Sequence, residues 1–217
     1  MSIREHRSGR GGFTALELAI VIIMLAILAG LLMPSFGNRR NHTTGSRCVA
    51  KLQQIGLAIR IWEDDHAGRY PMAVPMTEGG ALEFTAKGES WRVFQILSNE
   101  LATTKLPVCP ADPSRNPATN FASMTGSNVS YFVGVDAEEK RGKMFLAGDR
   151  NWEIDGNQVG SGLVAVGSNA AVSWTKNFHR QSGNILFADG SVVKVYDSQL
   201  RATVSQTGTN VNRLVFP

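Results

Sequence analysis

Four groups of residues in this 217-residue chain have types and spacings that could do chemistry. Glu17 is the single charged side chain between Phe13 and Met33. An ionisable group in so apolar a run costs a few kcal/mol in a membrane and needs a partner. His179 precedes Asp189 by ten positions, with Gly190 next. An imidazole and a carboxylate could act as base and orienter if the fold brought them together. Glu63, Asp64, Asp65 and His66 are consecutive. Neighbours on a helix point in different directions, so they read as a solvated face. Asp149, Asp155 and Asp189 are the carboxylates that could hold Ca²⁺, although no Ca²⁺-loop pattern surrounds them. Two cysteines, Cys48 and Cys109, are too few for a four-thiolate zinc site. No G-x-S-x-G elbow, H-E-x-x-H pair or Walker loop occurs, and Gly160-Ser161-Gly162 lacks the spacing of a dinucleotide loop. The expectation is a protein that is not an enzyme; a hydrolase would have to rest on His179 and Asp189.

Composition narrows the class. The chain is 43% hydrophobic and 18% charged, which excludes a disordered polyelectrolyte. The net charge of +4 is unevenly placed. Residues 1–12 carry Arg4, Arg7 and Arg10 against Glu5, and residues 34–69 carry six basic against three acidic groups. Residues 70–217 balance 13 basic against 13 acidic groups. A nucleic-acid binder would put its basic stripe on the folded domain, so no nucleic acid is expected. Basic flanks on a membrane segment fit better.

The elements that position these groups begin with Phe13–Met33. At 1.5 Å per residue this run is about 31 Å long, close to the roughly 30 Å of a hydrocarbon core. Gly12-Phe13-Thr14-Ala15-Leu16-Glu17, preceded by a short basic leader and followed by the apolar run, resembles a type IV prepilin cleavage and methylation signal. The resemblance implies cleavage after Gly12 by a membrane-embedded prepilin peptidase and N-methylation of Phe13. Glu17 becomes the fifth residue of the mature chain, where that family places its assembly glutamate. Pro34 falls where pilins often carry a helix-kinking proline. Ala15 and Ala19 stand where bulkier aliphatics are commoner. The competing reading is a secretory signal peptide ending near Ala29-Gly30, which leaves Glu17 without a role.

Residues 34–45 are rich in polar residues and helix breakers, so a kink or short melt is expected there. Helix then resumes, with Cys48, Leu52, Ile55, Ile59 and Trp62 forming one apolar stripe at spacings of three and four. Residues 48–71 resemble the helix that follows the membrane segment in prepilin-like proteins with a C-terminal H-X9-DG domain. Leu52-Gln53-Gln54-Ile55-Gly56-Leu57-Ala58 and Gly68-Arg69-Tyr70-Pro71 carry the likeness. His179-X9-Asp189-Gly190 is the motif that names that family, and Gly148-Asp149-Arg150-Asn151 resembles a second recurring element of it. The motif's role does not follow from the resemblance; turn chemistry at Asp189-Gly190 and a hydrogen-bonded His179, with Asp149 as its partner, is the simplest reading.

Outside the inner membrane thiols oxidise, so a Cys48–Cys109 disulfide is expected, with two buried free thiols as the alternative. Residues 71–90 read as loop and Ser90–Leu101 as a short helix. Strands are expected at 129–135, 144–147, 160–167, 184–188 and 191–196. A two-residue turn at Asp189-Gly190 would pair Leu186 with Val193 and Phe187 with Val192 in a hairpin at the sheet centre.

The expected architecture is an α+β pilin-like fold: a long N-terminal helix, transmembrane then amphipathic, on a C-terminal antiparallel sheet. Its parts are a cleaved leader (1–12), a transmembrane helix (13–33), an exported amphipathic helix (34–69) and a β-rich head (70–217). The resemblance implies a structural pilin or pseudopilin of a type IV pilus or type II secretion system. Its partners would be prepilin peptidase, sister subunits, an inner-membrane assembly platform and lipid. It would cross the inner membrane once, with its head in the periplasm, and assemble into an envelope filament. No cofactor is expected beyond the Ca²⁺ option. The alternative function is a tethered or secreted ligand-binding module that does not polymerise.

Overall fold

The computed structural model describes residues 14–32 and 39–217. The expected leader, Gly12, Phe13 and Pro34 lie outside the described residues. The chain divides into two units, 1–40 and 41–217.

In the first unit, α1 spans Ala15–Leu32. Its start is set by Thr14 and Glu17. The Glu17 N–H donates to Thr14 Oγ1 at 3.3 Å, while Glu17 Oε2 accepts from the Thr14 N–H at 3.0 Å and from its hydroxyl at 3.1 Å. This reciprocal pattern is a capping box, which satisfies N–H groups that the first helical turn leaves without partners. The described side chains of α1 are exposed, including Leu16, Leu18, Ile22, Leu25 and Leu28. Apolar residues cover every face of the helix, so no polar stripe is left to meet water. Among the described residues no helix is long and apolar enough to cross a membrane. Phe13 and Met33, the ends of the expected span, lie outside them.

Helix α2 runs Arg39–Asp64, all but its first two residues in the second unit, and therefore includes residues 39–45, where a break is expected from the sequence. Gly45 and the threonines are weak helix formers rather than strict breakers, and no proline stands between Pro34 and Pro71 to stop the helix. Cys48, Leu52, Ile55, Ile59 and Trp62 are all buried, whereas Leu57 and Ile61 on the other face are exposed. The stripe lies on a six-stranded antiparallel sheet. Its strands are β1 (Tyr131–Gly134), β2 (Phe145–Asp149), β5 (Gly162–Gly167), β7 (Ser182–Phe187), β8 (Val192–Tyr196) and β9 (Val211–Phe216), in the order β5-β9-β1-β2-β7-β8. Gly56 permits the close approach: a Cβ there would stand 3.0 Å from Leu186 Cδ1.

The opposite face of the sheet carries a second core. A small sheet of β3 (Trp152–Ile154), β4 (Asn157–Gln158) and β6 (Val172–Trp174) and helix α6 (Asp197–Ser205) contribute to it. Trp152 and Trp174 meet edge to face at 5.4 Å, and Phe132 meets Trp152 at 5.5 Å. The chain is thus α+β with an antiparallel sheet, but the sheet is covered on both sides. Sequence reading missed β3, β4, β6, β9 and α6. β9 in particular lies inside the sheet between β5 and β1, although it is the last element of the chain.

Three further expectations change. Residues 71–90 are not a loop; they hold short 3-10 turns at Pro71–Ala73 and Met76–Glu78 and helix α3 (Leu82–Ala86). The helix expected over Ser90–Leu101 is interrupted at Leu97, giving α4 (Trp91–Ile96) and α5 (Ser98–Leu101). The β7–β8 hairpin is not central: β8 is the sheet edge, with Val193, Lys194 and Tyr196 exposed. Its register also differs by one, pairing Leu186 with Val192 and Ile185 with Val193. The loop takes three residues, Ala188-Asp189-Gly190, closed by the Gly190 N–H to Phe187 O and the Phe187 N–H to Ser191 O, both at 2.9 Å. Gly190, at φ 83°, supplies the left-handed residue that such a three-residue hairpin needs.

Candidate functional site

The chemistry-bearing residues divide between the two ends of β7. At its start lies an unusual turn. His179, Arg180 and Gln181 have φ values of 60°, 52° and 56°, three successive left-handed residues without a glycine. Each costs about 1 kcal/mol or more, so the surroundings must hold the turn in place. Asn151 does so from below: its Nδ2 donates to Phe178 O at 3.2 Å and to Ser182 O at 3.1 Å, on either side of the turn. The Ser182 hydroxyl closes it, donating to His179 O at 2.5 Å.

The turn presses the His179 ring inward. Its Nε2 lies 3.3 Å from Asp149 Oδ2 and 3.2 Å from Cys109 Sγ. Asp149 is fully buried in the last position of β2. Its Oδ2 also accepts from the Asn184 N–H at 2.6 Å and from Asn184 Nδ2 at 2.8 Å. Asp149 Oδ1 and the Tyr131 hydroxyl are buried without hydrogen-bond partners among the described residues. Burial, and then the nearby Asp149 carboxylate, push the Tyr131 phenol well above its ordinary pKa. Cys109 is joined to Cys48 by a disulfide with Cα atoms 5.4 Å apart, which ties α2 to the proline-rich segment around residue 109.

Arg150 extends the arrangement outward. Its Nε and Nη2 donate to Asp112 Oδ2 and Oδ1 at 2.8 and 3.1 Å, a two-pronged pair. Burial alone would raise the Asp112 carboxyl, but hydrogen bonds from Arg150 and Ser114 outweigh it and hold the pKa below the usual value. Gly148 must stay bare, because a Cβ would stand 2.7 Å from the Phe132 ring and 3.0 Å from Asn184 O. Each member of Gly148-Asp149-Arg150-Asn151 thus has a distinct task in seating the His179 turn and the 107–117 segment.

At the other end of β7, Asp189 makes turn chemistry. Its Oδ1 accepts from the Ser191 N–H at 2.9 Å and the Ser191 hydroxyl at 2.5 Å, and the hydroxyl's hydrogen bond is the main cause of its lowered pKa. The preceding carbonyl, Ala188 O, accepts from the Tyr70 hydroxyl at 3.0 Å and from Arg60 Nη2 at 3.3 Å. His179 and Asp189 are separated by the length of a strand, roughly 20 Å. They form no dyad, which removes the geometric basis for a hydrolase using both. Nor do Asp149, Asp155 and Asp189 come together. Asp155 sits in the β3–β4 turn at φ 52°. The cluster of potential metal ligands among the described residues is instead Cys48, Cys109 and His179.

Beside His179 the second unit has an open cavity of about 750 Å³, lined among others by Ser46, Val49, Arg180, Asn184, Lys194 and Tyr196. Its charged lining residues, Arg180 and Lys194, are both cationic.

One sequence signal could have located more of this. Thr14-x-x-Glu17 is a legible capping box, which gives Glu17 a local partner besides the assembly role that the resemblance implies. Asn184 and Asn151 carried no signal, because the backbone groups that they bind are distant in sequence.

No family model matches the chain, and no solved structure matches it significantly. It is similar to the type II secretion system core protein G of Pseudomonas aeruginosa. The two are 27% identical over 135 residues, which is 62% of this chain and 89% of that protein.

Proposed function

We propose that this chain is a structural pilin-like subunit, a pseudopilin of a type II secretion system or a subunit of a type IV pilus. The observation that carries the reading is α1: a helix apolar on every face, with its side chains exposed and one carboxylate at its start. Water does not tolerate such a surface, so it is matched by lipid or by the same helix of sister subunits. The similarity to a type II secretion system core protein, over most of that protein's length, supports the same reading.

In this reading prepilin peptidase cuts after Gly12 and Phe13 becomes the methylated N-terminus. The run Phe13–Met33 anchors the chain once in the inner membrane, with residues 41–217 in the periplasm. The subunit then leaves the membrane for an envelope filament through an assembly platform. The new amine stays cationic after methylation, and Glu17 of a neighbour pairs with it in the low-dielectric filament core. No catalytic step is assigned.

The mass and N-terminal sequence of the mature protein test the processing: N-methyl-Phe13 is expected, and a start near Gly30 would overturn the reading. Glu17→Ala should be cleaved normally yet fail to assemble; normal assembly would refute the pairing. A second reading, a tethered ligand-binding module, draws on the cavity with Arg180 and Lys194 in its wall. Crosslinking in membranes separates the two, since a ladder of multimers joined through α1 belongs to the filament subunit alone.

A further inference from the structure

We propose that in its dithiol form the chain holds a divalent ion of the Zn²⁺ class on Cys48, Cys109 and His179, with the Asp149 carboxylate beside the imidazole as a nearby anion, and that disulfide formation closes this site. The inference concerns residues 41–217 alone and stands whether or not the protein polymerises. Three kinds of observation carry it.

The first is the donor set. Two cysteine sulfurs and an imidazole nitrogen lie within 4.8 Å of one another. Thiolate and imidazole are the ligands that Zn²⁺ prefers, and the small hard cations Mg²⁺ and Ca²⁺ do not.

The second is spacing. Around a tetrahedral Zn²⁺, bond lengths of about 2.0–2.3 Å put neighbouring ligand atoms about 3.6 Å apart for a nitrogen–sulfur edge. His179 Nε2 stands 3.3 Å from Asp149 Oδ2 and 3.2 Å from Cys109 Sγ. The Cys109 sulfur needs a shift of a few tenths of an ångström relative to the imidazole, and the two bonded sulfurs must part to about 3.8 Å, the edge of a tetrahedral site. Breaking the sulfur–sulfur bond supplies that freedom.

The third is what the site leaves unused. Asp149 Oδ1 is fully buried and has no hydrogen-bond partner among the described residues. An anionic oxygen without a partner in the interior is costly, and a cation beside it would remove that cost. His179 also lines the cavity of about 750 Å³, which gives an ion a way in from solvent. Both sulfurs are buried, so the ion would reach them through the His179 side.

The same two sulfurs can bind an ion as thiolates or bind each other, but not both at once. Cysteine thiolates are the metal ligands, so binding Zn²⁺ to the dithiol releases their two protons to solvent. The disulfide form offers no thiolate and should not bind.

The test uses the purified full-length protein in detergent. A water-soluble phosphine opens the disulfide: each bridge takes up two hydrogens as two S–H groups, and the phosphine leaves as its oxide with oxygen from water. Co²⁺ is then added to the reduced and the oxidised protein. The reduced protein should bind one equivalent, with a near-ultraviolet thiolate-to-cobalt band and the intense visible bands of tetrahedral Co²⁺, and Zn²⁺ should bleach both. The oxidised protein should show neither. Asp149→Asn should weaken Zn²⁺ binding by roughly ten- to a hundred-fold, and His179→Gln by more. The Cys48→Ser/Cys109→Ser double variant should lose the thiolate band. A reduced wild-type protein without that band, or one that unfolds even with Co²⁺ present, overturns the proposal. Unchanged affinity in His179→Gln removes the imidazole from the ligand set and overturns it as well.

Discussion

His179 Nε2 and Asp149 Oδ2 lie 3.3 Å apart across the end of the β2–β7 pairing, with the aspartate fully buried and the histidine side chain 6% exposed. The pair joins a left-handed turn, which is strained by itself, to the interior of the sheet. It couples the first residue of the H-X9-DG motif to Gly148-Asp149-Arg150-Asn151. Because Asp189 works at the far end of β7, the motif brackets one strand and fastens each of its ends.

His179→Ala should therefore destabilise the protein by about 2–4 kcal/mol, since it leaves a buried carboxylate with only the Asn184 donors and releases the strained turn. Denaturant unfolding of wild type and variant checks this. A change below about 0.5 kcal/mol would mean that the pair does not hold the turn.

Removing the disulfide by Cys48→Ser should cost about 2–4 kcal/mol, because the bridge closes a chain segment across 61 positions. The measurement is the shift in denaturation midpoint under non-reducing conditions. Under a reductant, wild type and variant should converge.

Acid should weaken the protein through Asp112. Its carboxyl pKa is lower folded than unfolded, so its stabilisation is fully present above the unfolded carboxylate value of about 4 and is lost as pH falls through the folded one. Melting temperatures measured from pH 6 downward should fall more steeply for wild type than for Asp112→Asn. The variant should start lower at neutral pH, by about 3 kcal/mol, because Arg150 loses its anionic partner. Parallel pH profiles would refute the assignment.

Gly183→Ala should cost about 1–3 kcal/mol, as a Cβ there would stand 2.3 Å from the Trp174 ring in a packed aromatic core. Tryptophan fluorescence should report the displaced ring alongside the loss of stability. Gly160→Ala, whose Cβ would meet nothing within 4 Å, is the matched control and should change little.

What the sequence determined alone is what depends on near neighbours. The apolar run with Glu17 at its head, the Cys48–Trp62 stripe of α2, and the strands around Phe132, Leu146 and Ile185 all follow from local periodicity. Asp189-Gly190 likewise announced a turn, since a side chain binding its own backbone two residues on is local chemistry. The tertiary structure decided matters that rest on distant partners. β9 was not legible because its place between β5 and β1 depends on strands 40 or more residues away. The hairpin register shifted by one because Ala188 was drawn into the loop. Asp189 binding Ser191 and the Arg60 and Tyr70 donors on Ala188 O hold the loop in that form. Above all, although the sequence reading already paired His179 with Asp149, nothing in the spacing placed Cys109 beside them. The three meet because β2 and β7 pair side by side, and because the cost of burying the Asp149 carboxylate is offset only where donors from both strands and the turn converge on it.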